Sequence, residues 1–369
     1  MIPARVYRIS RETAQLPATA RPRRAQPLWT GSEQSTTIVR LPSRQISIET
    51  IRDAASVVYD TVVRTPLVRL PTEAGGPEVY LKLETLQPIG SFKIRGASYA
   101  VRRVPASRLA DGVWTVSAGN AAQGVALAAR NAGVPCQVLV MDTAPQTKLA
   151  AIGRLGATIV KAPYDECWRA VEQHRSDRMP GRLVHPFDDD DFISGNGTIA
   201  LEIVEDLPDV DAVIAPLGGG GLLTGIGVGL RALRPDATLY AAEPETAAPL
   251  SVSLAAGAAR QFDAWQPSFV DGAGGKSVLA TMWPLLRDLV ADSLVVPLTD
   301  AAAAMRLVAD RLHVISEGAA ACAVAAAVSP AIAARGHRKI VAVVSGGNID
   351  LARFAQIVGA CADDPARPH

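Results

Sequence analysis

Residues 211–230 read "DAVIAPLGGGGLLTGIGVGL": a short apolar run, four consecutive glycines, then apolar residues at helical spacing. A strand that is apolar on every position is buried on both faces, which happens when helices cover both sides of a parallel sheet. The same alternation extends in both directions. Upstream, "ISIETIRDAASVVYD" (46–60) has helical spacing with Ser47 placed to cap it. "EVYLKLE" (78–84), "GVWTVSA" (112–118), "CQVLVM" (136–141) and "ATIVKA" (157–162) read as strands. Helical segments follow them at 91–103, 121–132, 146–155 and 165–178. Downstream come a helix at 222–233, the strand "ATLYAAE" (237–243), and "KIVAVVS" (339–345) running into a helix from Asn348. Strand and helix taking turns predicts an α/β fold with parallel sheets covered by helices.

The chain has 369 residues, enough for one large domain or two smaller ones, and a formal net charge of +1. That balance gives no reason to expect nucleic acid or an anionic membrane as partner. No apolar run approaches the roughly 20 residues of a membrane span. Four widely spaced cysteines, Cys136, Cys167, Cys322 and Cys361, show no metal-type pairing and read as reduced thiols of a cytoplasmic protein. Residues 1–45 are rich in Arg, Pro, Ser and Thr and poor in acids. They read as a disordered N-terminal extension, with a transit-peptide composition as the other reading.

Polar or glycine-rich loops follow three of the strands: "SAGN" (117–120), "GGGG" (218–221) and "SGGN" (345–348). In an open α/β sheet, ligands bind at the carboxyl ends of strands, so the three loops are expected to converge on one crevice. Four glycines between strand and helix let backbone N–H groups surround an anion at a helix N-terminus, and a phosphate suits that arrangement. The spacing is neither that of a P-loop nor the G-x-G-x-x-G of a dinucleotide fold. A tight turn would explain one or two of the glycines, not four. Taken singly, "SGGN" and "SAGN" read equally well as a turn and a helix cap.

The chain has only six lysines against 31 arginines. Lys93, in "GSFKIRGASYA" (90–100), lies between Phe92 and Ile94 at the start of an expected helix. A surface cation there would tolerate arginine, but an amine used as nucleophile or base would not. The five histidines, His174, His185, His313, His337 and His369, lie far apart in sequence without metal-ligand spacing, and His185 reads as structural. The acid run Asp188–Asp191 reads as a solvated turn.

Together and in this order, "SFKIRGA", "SAGNAAQG", "PLGGGGLLTG" and "SGGN" resemble the fold-type II pyridoxal-phosphate enzymes, within them the threonine/serine dehydratase (ammonia-lyase) branch. The resemblance runs from about residue 48 to about residue 360 and includes "HPFDD" and "ISGNGTIALEI". It implies a tryptophan synthase β-like, two-domain fold, with a small domain at 87–190 inserted into a large cofactor-binding domain formed from 46–86 and 191–365. It implies that Lys93 carries pyridoxal 5'-phosphate as a Schiff base, with Phe92 near the ring. Gly218, Gly219, Gly220, Gly221 and Leu222 match the phosphate-binding loop, and Asn120 the residue that hydrogen-bonds the phenolic oxygen. Ser117, Gly119 and Ala121 match the loop for the substrate carboxylate. Ser345 matches the residue facing the pyridine nitrogen, where a hydroxyl rather than a carboxylate favours β-elimination over transamination.

The implied reaction is dehydration and deamination of a β-hydroxy amino acid such as L-threonine or L-serine to a 2-oxo acid and ammonia, by an enzyme that dimerises. Departures from the pattern point elsewhere within the class. Ala121 stands where many dehydratases have histidine, and Ala118 where racemases of the group have serine. Glu243 matches the first carboxylate of a divalent-cation site found in many relatives, and the Ala247 carbonyl the next ligand. Pro249 occupies the place of a second carboxylate, which argues against a tight metal site. Trp168, next to Arg169, aligns where relatives that handle β-hydroxyaspartate have arginine. The alternative reading is β-replacement, or a lyase for an unusual β-substituted amino acid in a specialised pathway. The match leaves no room for a C-terminal effector-binding domain, so feedback by a branched amino acid is not expected.

Overall fold

In the computed structural model, which describes residues 44–71 and 76–360, ten strands form two sheets. The strands are β1 (Leu67–Leu70), β2 (Glu78–Leu83), β3 (Val113–Val116), β4 (Cys136–Met141), β5 (Thr158–Ala162), β6 (Arg182–Leu183), β7 (Ala212–Pro216), β8 (Thr238–Pro244), β9 (Asp292–Val296) and β10 (Lys339–Val344). One sheet has the order β1-β2-β10-β7-β8-β9; the other, β5-β4-β3-β6, is drawn entirely from residues 113–183. All pairings are parallel except β1 with β2, an antiparallel edge that the sequence reading did not include.

The central strands explain their own composition. On β7, Ala212 and Ile214 join one apolar cluster and Val213 and Ala215 another, and β10 divides in the same way. Side chains alternate across a strand, so these are the two faces of the sheet, each covered by helices. The helix Gly318–Ala327 is small and apolar throughout because all of it is buried in the first cluster. Trp114 and Val116 of β3 likewise pack on the opposite face of the smaller sheet from Val113.

Most expected elements lie within a few residues of their observed limits. The first helix is Ile48–Val58, with Ser47 and Thr50 forming a reciprocal capping box. The helix expected at 165–178 is Tyr164–Gln173, ended by His174 in the left-handed region at φ 53°. The helix expected from Asn348 begins at Leu351. Strands β6 and β9 and the helices Asp190–Asp206, Pro249–Ala256, Trp283–Leu289, Leu298–Leu312 and Gly318–Ala327 are among the elements that the sequence reading did not include.

The Asp188–Asp191 run is not a solvated turn. Asp188 is buried and accepts hydrogen bonds from Arg44 Nη1 (2.7 Å) and Thr281 Oγ1 (2.7 Å), with His174 Nε2 at 3.1 Å. Asp189 caps the helix Asp190–Asp206 through the Phe192 amide. His174 and His185, apart in sequence, stack with ring centroids 4.4 Å apart. Of the extension expected over 1–45, residues 1–43 lie outside the described residues. Arg44 and Gln45 are held by Asp188 and Asp190.

Candidate active site

The three loops singled out in the sequence leave the carboxyl ends of β3, β7 and β10. They line one cleft of about 460 Å³. Lys93 enters it from another direction, and its position follows from backbone pairing between distant motifs. The Gly347 amide donates to the Gly90 carbonyl (2.9 Å) and the Phe92 amide to the Ser345 carbonyl (3.0 Å), with a bridge between Ser91 and Gly346. This short antiparallel clasp sets the start of the helix Lys93–Arg103 beside Ser345. Two residues on, the buried Arg95 anchors that helix through Glu84 and Glu202.

Lys93 Nζ donates to the Pro186 carbonyl at 2.6 Å and lies 5.1 Å from the Phe92 ring centroid and 5.4 Å from that of Phe192. Desolvation pushes its pKa down to about 8, against the opposing charge of Glu317. An amine in that range is neutral in roughly one molecule in ten at pH 7, far more than an ordinary lysine, and only the neutral form can enter covalent chemistry.

Opposite it, the glycine loop has no room for side chains. A Cβ on Gly219 would sit 2.0 Å from the Phe187 ring, one on Gly218 2.8 Å from the Gly272 carbonyl, and one on Gly221 2.6 Å from the Phe187 carbonyl. Gly220 has φ 94°. The bare backbone leads into the helix Gly221–Leu233, whose first amides have no partner one turn back. Leu222 lines the cleft beside them.

Ser117, at the end of β3, accepts the Gly119 amide on its hydroxyl (3.0 Å), and the helix Asn120–Ala132 starts without a side-chain cap. Its open N-terminus faces the cleft with Ala121, buried, at its root. The Asn120 side chain is held at both ends. Its Nδ2 donates to Glu317 Oε1 (2.9 Å) and its Oδ1 accepts from Asn348 Nδ2 (2.8 Å). Ser345 is buried at the cleft wall.

An amine prone to lose its proton, a bare backbone cradle at a helix N-terminus, a fixed amide and a buried hydroxyl share one cleft. A small aromatic aldehyde phosphate would use each of them. These residues therefore fit the cofactor that the resemblance implies.

Not all expected residues belong here. Glu243, at the end of β8, accepts hydrogen bonds from the Leu250 amide (2.9 Å), the Ser251 amide (2.9 Å) and Ser293 Oγ (2.5 Å). It anchors the N-terminus of the helix Pro249–Ala256, and neither it nor Ala247 lines the cleft. Trp168 donates to Glu172 Oε1 (2.9 Å) and packs against the Trp114 and Leu139 cluster rather than lining the cleft. Other lining residues escaped the sequence reading, chiefly Glu317, Phe187 and the ion pair of Lys148 with Asp271, and Asn348 of the "SGGN" loop was given no role of its own. Only Glu317 carried a local signal, as a lone acid before ten small or apolar residues.

The sequence profile described as pyridoxal-phosphate dependent enzyme matches residues 58–346, most of the chain. The chain belongs to this family. Among its relatives, the L-threonine ammonia-lyase of Thermotoga maritima is 35% identical over 317 residues, covering 85% of this chain and 78% of that one. Human serine racemase is 36% identical, covering 83% and 92%. The solved structure of maize serine racemase superposes with a TM-score of 0.79 at 32% identity, covering 85% and 97%. The chain is thus a fold-type II enzyme of the threonine/serine dehydratase branch, and pyridoxal phosphate is its cofactor.

Proposed function

We propose that this protein is an ammonia-lyase that dehydrates and deaminates a small β-hydroxy amino acid, such as L-threonine or L-serine, to a 2-oxo acid and ammonia. The observation that carries the reading is Lys93: a half-buried amine with pKa near 8, aimed into a cleft with a glycine cradle and a neutral hydroxyl, Ser345. The cofactor, when bound, supplies the electron sink that lets the substrate's α-proton leave. Lys93 would hold the cofactor until the substrate's amine takes its place, and the freed Lys93 amine then accepts that proton as a general base. The Gly218–Leu222 backbone binds phosphate, and Asn120 presents its remaining N–H to the phenolic oxygen. The amides that open the helix at Asn120, with the Ser117 hydroxyl, bind the substrate carboxylate. The β-hydroxyl leaves protonated, as water, and the released enamine (aminoacrylate from serine, its β-methyl homologue from threonine) adds water to give the 2-oxo acid and ammonia.

Relatives named threonine ammonia-lyase and serine racemase are similarly distant, so the local residues discriminate. Ala118 lines the cleft where the racemases have serine, so that position offers no hydroxyl for re-protonation. This favours elimination over racemisation. Ala121 favours a second reading, a substrate bulkier at the β-carbon or β-replacement. Glu243, already occupied by three donors, supports a reaction that needs no divalent cation there. We also infer the insertion of a small 87–190 domain and a homodimeric state. The buried thiols Cys136, Cys167 and Cys322 support a reducing, cytoplasmic setting.

The test is 2-oxo acid release from a panel of L- and D-β-hydroxy amino acids, with Lys93→Ala in parallel. Release by the wild type alone supports the lyase. Absence of release, with the borohydride-reducible adduct at Lys93 intact and a product formed on adding a thiol nucleophile, would replace it by β-replacement.

A further inference from the structure

Two carboxylates in the cleft are left unused by the proposed mechanism; Asp271 is paired with Lys148, whereas the surroundings of Glu317 are built around it. It stands at the N-terminus of the buried helix Gly318–Ala327, and its own amide donates to the Gly346 carbonyl (3.0 Å). A Cβ on Gly346 would come within 2.7 Å of its Oε1. Its Oε1 accepts one N–H of Asn120, whose Oδ1 is taken by Asn348, itself tied through Nδ2 to the Ile89 carbonyl (2.7 Å). An amide fixed at both ends has one orientation, with a single N–H left for a ligand.

We propose that Glu317 is a positioning and charge-setting residue of the reaction: it fixes the Asn120 amide toward the cofactor oxygen, and its carboxylate, lining the same cleft as Lys93, sets the charge that the Lys93 amine faces. The proposal rests on the same site as the lyase reading, but not on which substrate is used.

The charges facing the pair are all identifiable. Glu317 meets Asp271 on the turn Asp271–Ala273, Lys148 on the helix Gln146–Arg154, and Asn120 and Asn348 as hydrogen-bond donors. Lys93 meets Glu317 and, from the loop before Pro186, His185, which burial keeps neutral near physiological pH. Burial and then Asp271 push the Glu317 carboxyl up to about 7. Burial pushes Lys93 down to about 8, and the Glu317 carboxylate holds it from falling further. The two groups therefore titrate in neighbouring ranges and influence one another. Below about pH 7 Glu317 gains a proton and loses its hold on the Lys93 charge. As pH rises past about 8 the ammonium gives up its proton and the amine is free.

The experiment uses the full chain freed of cofactor. The rate of Lys93 acylation by a neutral reagent is followed against pH by mass spectrometry of the peptide. Wild type is expected to show a midpoint near 8. Glu317→Gln should lower that midpoint, because the stabilising negative charge is gone, and Glu317→Asp should restore most of it. Recombination with pyridoxal phosphate should in parallel extend to lower pH in Glu317→Gln, while cofactor affinity falls several-fold as Asn120 loses its fixed orientation. An unchanged midpoint in Glu317→Gln, with circular dichroism showing a folded chain, would overturn the proposal. Should that variant not fold, Asn120→Ala serves as the second measurement, since it keeps the Glu317 charge. It should reduce cofactor affinity and leave the Lys93 midpoint in place, and a cofactor affinity equal to that of the wild type would overturn the positioning role. Acylation needs neither cofactor nor substrate, so its outcome is separable from that of the lyase assay.

Discussion

Lys93 is set apart from the five other lysines by what surrounds its amine. Two phenyl rings and a single carbonyl acceptor replace the water that would stabilise an ammonium, so the neutral form is within reach near neutrality. Arginine at this position would keep the charge at every accessible pH. Lys93→Arg is therefore expected to fold, to bind pyridoxal phosphate only weakly, and to give no borohydride-reducible adduct. Lyase activity should fall by roughly a thousandfold, within the range that loss of a positioned acid–base group produces. Reduction followed by peptide mapping checks the adduct, and a labelled residue other than 93 would count against the assignment.

At the level of elements, the site is three strand–loop–helix units and a clasp. The glycine loop is the tightest of them, because Phe187 fills the space a side chain would need. Gly219→Ala should reduce cofactor affinity at least tenfold, by displacing either the loop or the ring, as overpacking of a close contact does. Phe187→Ala added to it should recover part of that loss. Two changes in direct contact are expected to be non-additive, and simple additivity in a fluorescence titration of cofactor binding would disprove the contact. These loops were legible in the sequence because their cause is local: strand period, helix period and the glycines between them. Lys93 stood out through its scarcity and its apolar neighbours. Glu317, Phe187 and Asn348 were hidden because their roles exist only once the 90–92 and 345–347 segments pair and "HPFDD" folds back over the loop. The error over Asp188 has the same origin. Four acids in a row read as solvated until Arg44, Thr281 and His174 arrive from three other parts of the chain. The metal-type match at Glu243 likewise gave no hint that two backbone amides and a serine would occupy the carboxylate.

Across the whole molecule, the Lys93 helix is fixed by a charge cluster that is entirely out of solvent. Arg95 pairs with Glu84 (2.7 Å) and Glu202 (2.6 Å), and Lys82 pairs with Glu202 (2.6 Å), all four side chains being fully buried. The cluster ties β2, the helix Lys93–Arg103 and the helix Asp190–Asp206 together, and Tyr59, just past the first helix, donates to Glu202 as well. Two positive and two negative charges balance, so the arrangement is stable as a set and costly to break singly. Removing Arg95 alone should destabilise the chain by about 3–5 kcal/mol, as loss of one partner of a buried pair does. Burial alone would raise the Glu202 carboxyl, but Arg95 and Lys82 hold it below its ordinary 4.5. A group whose pKa is lower folded than unfolded adds stability above the unfolded value, and that stability disappears as pH falls through the folded one. Stability should accordingly be level from about pH 6 to 5 and decline below about 4.5. Urea midpoints measured at steps between pH 6 and 3 would show the decline. In Glu202→Gln the curve should start lower and slope less between pH 4.5 and 3, because the carboxylate whose protonation weakens the cluster is absent. An equal slope in both proteins would mean that the acid sensitivity arises elsewhere and that this cluster does not hold the Lys93 helix in place.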